Sequence, residues 1–425
     1  MILFAYHLAW TFLLLCLFPF IPLLRGHRLV QRLRAAPGAR KEGGKAIWIH
    51  ALSVGEVLSA IPLVKTLRRR YPAEELALTV TTRQGMEIAQ RELREDRLLL
   101  LPMPLDFWWP MLGMIRRIRP KLFILVETDL WPGLLDHLKR RGVKTMLANG
   151  RVSPGTLNSY KRFRFFFGNM LNGFDACLMQ TELDRLRLLE TGIKTRRVRS
   201  LGNMKFDRGY SPLDEKERRD RLKAFNLSDD CGVWLAGSTH RGEEKIVLDV
   251  FQKIRPSFPH VRLVIAPRRT ERAREIQRLG QSKGFKTVLR TALTPRSPAY
   301  DVLILDTMGE LCRAYGIAFV SFVGGSLVPE GGHNLLEPAS FGCPVLFGPH
   351  MEDFKTMAEL ILEAGGGIRV QDPQTLFQAI LDLFSQPEKR NAIGSRAKHF
   401  VESNQGAVAR VILEISELLD GRFQS

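Results

Sequence analysis

A chain of 425 residues with 45% hydrophobic and 25% charged residues has a globular composition and is long enough for two separate cores. Its charge is uneven: of 63 Lys and Arg against 44 Asp and Glu, residues 1–205 hold 34 against 16, while residues 206–425 hold 29 against 28. The cationic half suits a phosphorylated substrate, an anionic membrane or nucleic acid. Five scattered cysteines (Cys16, Cys177, Cys231, Cys312, Cys343), with no CxxC, argue against a zinc or disulfide framework and favour a reducing compartment.

Residues 2–24 contain no Asp, Glu, Lys or Arg. A run of that length suits a membrane helix, although Pro19 and Pro22 also allow an interfacial or hairpin segment. Arg25, Arg28, Arg32, Arg34, Arg40 and Lys41 follow it and predict a cytoplasmic side for the rest of the chain. Residues 1–36 therefore read as an anchor with a basic flank, and residues 37–45 as a Gly/Pro linker.

Strand-like runs at 46–50, 76–81, 98–101, 122–126, 145–148 and 176–179 alternate with helical segments, the pattern of a parallel sheet covered on both faces. Ligands of such sheets sit beyond the carboxyl ends of the strands. Two acidic groups occupy that edge. Glu56 opens a helix directly after the first strand, where it either complements the helix dipole or serves as a general base. Glu127, in ETDLWP at 127–132, follows the run LFILV and reads equally well as a cap or a partner for arginines. Basic residues mix with Tyr160, Phe163 and Phe165, Phe166 and Phe167, a surface suited to lipid and less directly to stacked nucleic acid. GNMKFD at 202–207 carries Lys205 and closes the first domain, 37–207.

The second domain, 208–425, repeats the alternation. Strands at 233–236, 262–265 and 303–306 lead into Ser238 and Thr239, into Pro267 and Arg268, and into Met308, Gly309 and Glu310. Hydroxyls, a guanidinium and helix-start amides at strand ends are suited to phosphate, carboxylate or a nucleoside. A strand then ends in Gly324, Gly325 and Ser326, and a helix is expected from His333 and Asn334 through Leu335, Leu336 and Glu337. Glycines there would let phosphate approach backbone amides, and Glu337 suits ribose hydroxyls. An ordinary crossover with glycine turns fits the same residues, and neither GxGxxG nor GxxxxGK[ST] is present. Helices are expected at 353–364, 373–386 and 406–419.

Eight segments stand in order: HALSVGE (50–56), ETDLWP, GNMKFD, GSTHRGEE (237–244), APRR (266–269), DTMGEL (306–311), GGSLVPEGGHNLLEP (324–338) and GPHMEDF (348–354). Together they resemble the 3-deoxy-D-manno-octulosonic acid (Kdo) transferases of lipopolysaccharide assembly. Asp129, Gly150 and Arg269 depart from that family's usual Glu, Ala and His.

The resemblance implies an α/β GT-B glycosyltransferase fold, with two Rossmann-like domains facing a cleft after an N-terminal membrane-anchor helix. It implies transfer of Kdo from CMP-Kdo to a lipid A precursor such as lipid IVA, with inversion, at the cytoplasmic side of the cell inner membrane. Glu56 would be the base and Glu127 a functional partner, while Lys205 would offset charge on the departing phosphate. Ser238, Thr239, Pro267, Arg268, Met308, Gly309, Glu310, Gly325, Ser326, His333, Asn334, Leu335, Leu336 and Glu337 would bind CMP-Kdo. No cofactor or metal is expected, and the expected partners are CMP-Kdo, the lipid acceptor and anionic lipids rather than nucleic acid. Rival readings are a GT-B enzyme acting on another lipid, a sugar-nucleotide epimerase of similar architecture, or a membrane-anchored nucleic-acid binder.

Overall fold

Aliphatic runs too short for helices, most of them followed by a short turn and then a helix, leave the chain one economical arrangement: parallel strands with helical crossovers. The computed structural model describes residues 45–420 apart from 95, 194–197 and 209–212, together with Tyr6, Thr11 and Arg32. It divides into two units, Met1–Gly209 with Asn404–Ser425, and Tyr210–Ser403.

The first unit holds β1 (Ala46–Ala51), β2 (Glu75–Val80), β3 (Leu99–Pro102), β4 (Pro120–Val126), β5 (Lys144–Gly150), β6 (Ala176–Met179) and β7 (Val198–Ser200). Their order across the sheet is β3-β2-β1-β4-β5-β6-β7, all parallel. Winding reverses between β1 and β4, so the crossovers leave to opposite sides there and open a crevice at the carboxyl ends. Alternate residues of β1 and β4 feed two cores: Ile47, Ile49, Leu122 and Ile124 on one face, Trp48, Phe123 and Leu125 on the other.

The second unit holds β8 (Gly232–Thr239), β9 (Val261–Pro267), β10 (Thr287–Leu289), β11 (Val302–Ile304), β12 (Val320–Val323), β13 (Val345–Phe347) and β14 (Gly367–Arg369). The order is β10-β11-β9-β8-β12-β13-β14, again parallel. Here the reversal lies between β8 and β12.

Several expectations need correction. The expected second domain, 208–425, loses its last segment: Asn404–Ser425 groups with the first unit. The helix Ala407–Asp420 buries Val408, Val411, Ile412, Ile415 and Leu418 in the same core as Val57, Ile61 and Val64 of the helix Val54–Arg70. Asp207 fixes its start by accepting from the amides of Gly406 and Val408, each at 2.6 Å, where a carboxylate favours the helix dipole. The helix expected from His333 begins at Leu336 and ends at Ser340. Gly331 and Gly332 are left-handed, and Asn334 Oδ1 accepts the Leu336 amide, which draws 333–335 out of the helix. The helix Pro387–Ser403 was not anticipated, because its charged residues obscure a buried stripe of Ile393, Gly394, Ala397, Phe400 and Val401.

The expected anchor lies outside the described residues except at Tyr6 and Thr11, as does its basic flank except at Arg32. The Tyr6 hydroxyl donates to Asp106 Oδ2 at 2.9 Å, and Arg32 Nε donates to the Met103 carbonyl at 2.9 Å. Among the described residues no helix is long and apolar enough to cross a membrane. Of the basic-aromatic segment, Phe163 and Phe165 are exposed, whereas Tyr160, Phe166 and Phe167 pack against the core.

Gly394 shows how tightly the second unit is closed. A Cβ there would stand 2.0 Å from the carbonyl oxygen of Gly342. Gly394→Ala is therefore expected to lower the unfolding free energy by about 1–3 kcal/mol, the usual cost of overpacking, despite alanine's better helix propensity. Urea denaturation reads this directly, and an unchanged midpoint would contradict the close approach.

Candidate active site

In the first unit, β1 and β4 deliver Glu56 and Glu127 to the same switch point. The chain leaves β1 through Leu52 and Ser53 into the helix Val54–Arg70, so Glu56 stands in that helix's first turn. Its Oε2 accepts from the amides of Leu52 and Ser53, the latter at 3.0 Å. Those bonds favour the carboxylate, but burial and the negative charge of Glu127 outweigh them. They raise the Glu56 pKa from its ordinary 4.5 to about 7, with a smaller upward push from Asp129. A carboxyl poised near neutrality and fixed at one oxygen is the state a general base needs.

Glu127 directly follows β4 with φ +63, a left-handed conformation that a non-glycine residue adopts only under constraint. Its amide is held by the Ala148 carbonyl at 2.9 Å. Oε1 accepts from Ser59 Oγ at 3.2 Å and pairs with Lys205 Nζ at 3.1 Å. Lys205 belongs to the 3-10 turn Met204–Asp207, and its ammonium lies 3.9 Å from where a Cβ on Gly55 would stand. The three residues expected to act together thus form one cluster, with the lysine compensating Glu127.

Two neighbours support this cluster. Asn149, left-handed at φ +57, accepts the Met204 amide at Oδ1, 2.9 Å, and so seats the lysine turn. Asp129 Oδ2 accepts from Trp131 Nε1 at 2.7 Å and stands 3.7 Å from Nε2 of the fully buried His50. His50 Nδ1 lies 2.9 Å from the Thr79 hydroxyl and 3.1 Å from the Thr79 carbonyl. Neither His50 nor Asn149 was singled out from sequence. The departure at Gly150 has a local reason: a Cβ there would meet the Met179 sulfur at 2.7 Å.

In the second unit, β8 and β12 bring Ser238, Thr239, His240, Gly325 and Ser326 to the other switch point. Ser238 is left-handed at φ +56, and the Thr239 hydroxyl is buried without a hydrogen-bond partner among the described residues. The Arg268 amide donates to the Thr239 carbonyl at 3.0 Å, while its side chain is exposed at the end of β9, beside the buried Pro267.

The glycine loop does not present its amides as expected. The carboxylate of the buried Glu243 accepts from Gly325 at 2.7 Å, Ser326 at 3.0 Å and Leu327 at 2.9 Å, and from His240 at 2.9 Å. Ser326 Oγ is also occupied, donating to Val323 and accepting from Gly348. Gly325 and Ser326 therefore shape the site instead of meeting phosphate through those groups. Glu243 sits inside a motif quoted from sequence, yet three of its four partners lie 82–84 residues further on, so no local pattern discloses its task on the glycine loop.

The remaining expected residues divide. His333 faces Gly325, and Asn334 Nδ2 donates to Glu337 Oε1 at 3.2 Å. Leu335 and Leu336 are buried, as a helix start requires. Met308 is exposed and Gly309 left-handed, whereas Glu310 pairs with Arg290 at 3.2 Å and Arg221 at 3.4 Å. Those pairs give Glu310 a structural occupation. No cluster of three metal-binding side chains occurs among the described residues.

Two measurements check this geometry. Glu127→Gln removes the like charge beside Glu56 and frees Lys205, so the Glu56 pKa should fall below 7, while burial, the larger cause, keeps it above the ordinary carboxyl value, as carboxyl 13C NMR would read. Glu243→Ala leaves four amides, two of them fully buried, without their acceptor and should destabilise the second unit by about 2–4 kcal/mol in urea.

Comparison with known proteins agrees with the motifs. The family described as 3-deoxy-D-manno-octulosonic-acid transferase (kdotransferase) matches residues 27–208. A 3-deoxy-D-manno-octulosonic acid transferase of Haemophilus influenzae is 32% identical over 387 residues, covering 91% of this chain and 90% of that one. The enzyme of the same name from Bordetella pertussis is 30% identical, covering 88% and 87%. Among solved structures, the UDP-GlcNAc 2-epimerase of Neisseria meningitidis superposes with a TM-score of 0.57 over 88% of this chain and all of that one, at 14% identity. That likeness shows the two-domain GT-B-like fold alone. With a relative this similar along almost its whole length, the chain belongs to the 3-deoxy-D-manno-octulosonic acid transferase family of glycosyltransferases.

Proposed function

We propose that the chain transfers Kdo from CMP-Kdo to a hydroxyl of a lipid A precursor such as lipid IVA, at the cytoplasmic face of the inner membrane, with Glu56 as general base. The observation that carries the mechanism is the Glu56 carboxyl, raised to about 7 at the carboxyl end of β1. It takes the proton of the acceptor hydroxyl as that oxygen attacks the anomeric carbon. The bond to the CMP phosphate breaks on the opposite face, inverting the centre, and CMP departs with the electron pair. A phosphate leaving group is weakly basic, so it needs charge stabilisation more than protonation. Arg268, Ser238 and Thr239 at the ends of β9 and β8 supply donors of the right kind.

Glu127 and Lys205 tune the base. Glu127 disfavours a second negative charge, and Lys205 limits that effect. Asp129 adds its smaller push from a position fixed by Trp131. Trp108, Trp109, Phe163 and Phe165 are exposed on a unit rich in arginine, which supports a lipid-borne acceptor.

Glu56→Gln is expected to cut transfer from CMP-Kdo to labelled lipid IVA by about 10²–10⁴-fold, the range of general-base catalysis, while CMP affinity stays unchanged. In the wild type, transfer should fall as pH drops through about 7, because protonation removes the base. Loss of CMP binding together with activity would contradict this assignment of roles.

A further inference from the structure

The imidazoles of His240 and His333 meet at Nε2 to Nε2, 2.9 Å apart. Gly325 lies behind them: a Cβ there would stand 3.2 Å from His333 and 3.4 Å from His240, so the glycine makes room for the pair. His240 Nδ1 stands 3.6 Å from Glu330 Oε2. Nδ1 of the half-buried His333 makes no hydrogen bond among the described residues.

A hydrogen bond between two ring nitrogens needs one proton between them, and that requirement couples the two tautomers. With both rings neutral, the carboxylate of Glu330 keeps a proton on His240 Nδ1. His240 Nε2 is then bare, His333 must donate through Nε2, and His333 Nδ1 is left as an acceptor. If one proton enters at His333 Nδ1, the shared proton moves across to His240 Nε2. The positive charge then rests on His240, beside Glu330, and His333 becomes a neutral ring offering an N–H.

We propose that His240 and His333 act as a one-proton relay which switches His333 Nδ1 from acceptor to donor, so that binding of an anionic phosphate at this switch point draws one proton into the protein. The surroundings fit a charge that settles on His240 and not on His333. Burial, with the positive charge of Arg268 and of His240, lowers the His333 pKa to about 4. Glu330 faces His240, Arg268 faces His333, and Glu243 holds the Gly325 amide behind both rings. Arg241 adjoins His240 in the chain, and Asp353 lies behind Gly331. A phosphate oxygen is an acceptor only, so it selects the state in which His333 donates.

The inference rests on the nucleotide reading of the second unit, and two measurements separate them. In ligand-free protein with 15N-labelled histidine, acidification should add one proton to the pair as a unit, with His333 changing from the Nε2–H to the Nδ1–H tautomer. Two rings titrating independently, without that tautomer change, would overturn the relay. Calorimetry with CMP near neutral pH, in buffers of different ionisation enthalpy, should show uptake approaching one proton per CMP. His240→Gln should abolish the uptake while binding persists with reduced affinity. Binding by the wild type with no proton uptake refutes the linkage and leaves the nucleotide reading standing. If CMP fails to bind at all, the nucleotide reading and the phosphate linkage fall together, and the tautomer measurement decides the relay alone.

Discussion

Everything chemical in this molecule follows from the reversal of winding in each parallel sheet. Helices must cover both faces of a parallel sheet, and where crossovers part to opposite sides the strand ends are left uncovered. In the first unit the parting strands are β1 and β4, and the next acidic residues in the chain are Glu56 and Glu127. In the second they are β8, which ends in Ser238 and Thr239 just before His240, and β12, which is followed by Gly324 to Ser326. The same topological feature therefore places acidic groups in one unit and hydroxyl, imidazole and glycine groups in the other.

The first of these sites depends on unfavourable neighbours. Two carboxylates at adjoining strand ends repel, and burial adds to the cost of charging Glu56. The fold tolerates this because Lys205 stands 3.1 Å from Glu127 and because Glu56 retains two amide donors. The left-handed backbone at Glu127 and Asn149 is of one piece with this, since Glu127 meets Lys205 directly and Asn149 accepts the Met204 amide of the lysine turn.

Much of this was readable before any coordinates. Aliphatic strand runs are short and bounded, so the central strands stand out, and an acid immediately after a strand marks the candidate edge. The edge strands β7, β10 and β14 were missed because they are short and only partly buried, so no continuous apolar run marks them. The glycine loop was misjudged for a deeper reason. Its composition advertises free amides, yet Glu243 consumes them from more than eighty residues away. His240 and His333 are 93 residues apart and equally invisible as a pair. Local patterns announce which groups are present; only the closed fold decides which of them are already engaged.

The placement of the helix Ala407–Asp420 has a consequence for biogenesis. Its apolar face completes the core around Val57, Ile61 and Val64, although almost two hundred residues of the other unit intervene. At ribosomal speeds of about 5–20 residues per second, the amino-terminal lobe waits roughly ten to forty seconds with an oily groove uncovered. Transiently exposed apolar surface of this kind is prone to aggregation, so synthesis of the last helix ends the period of greatest exposure for the amino-terminal core.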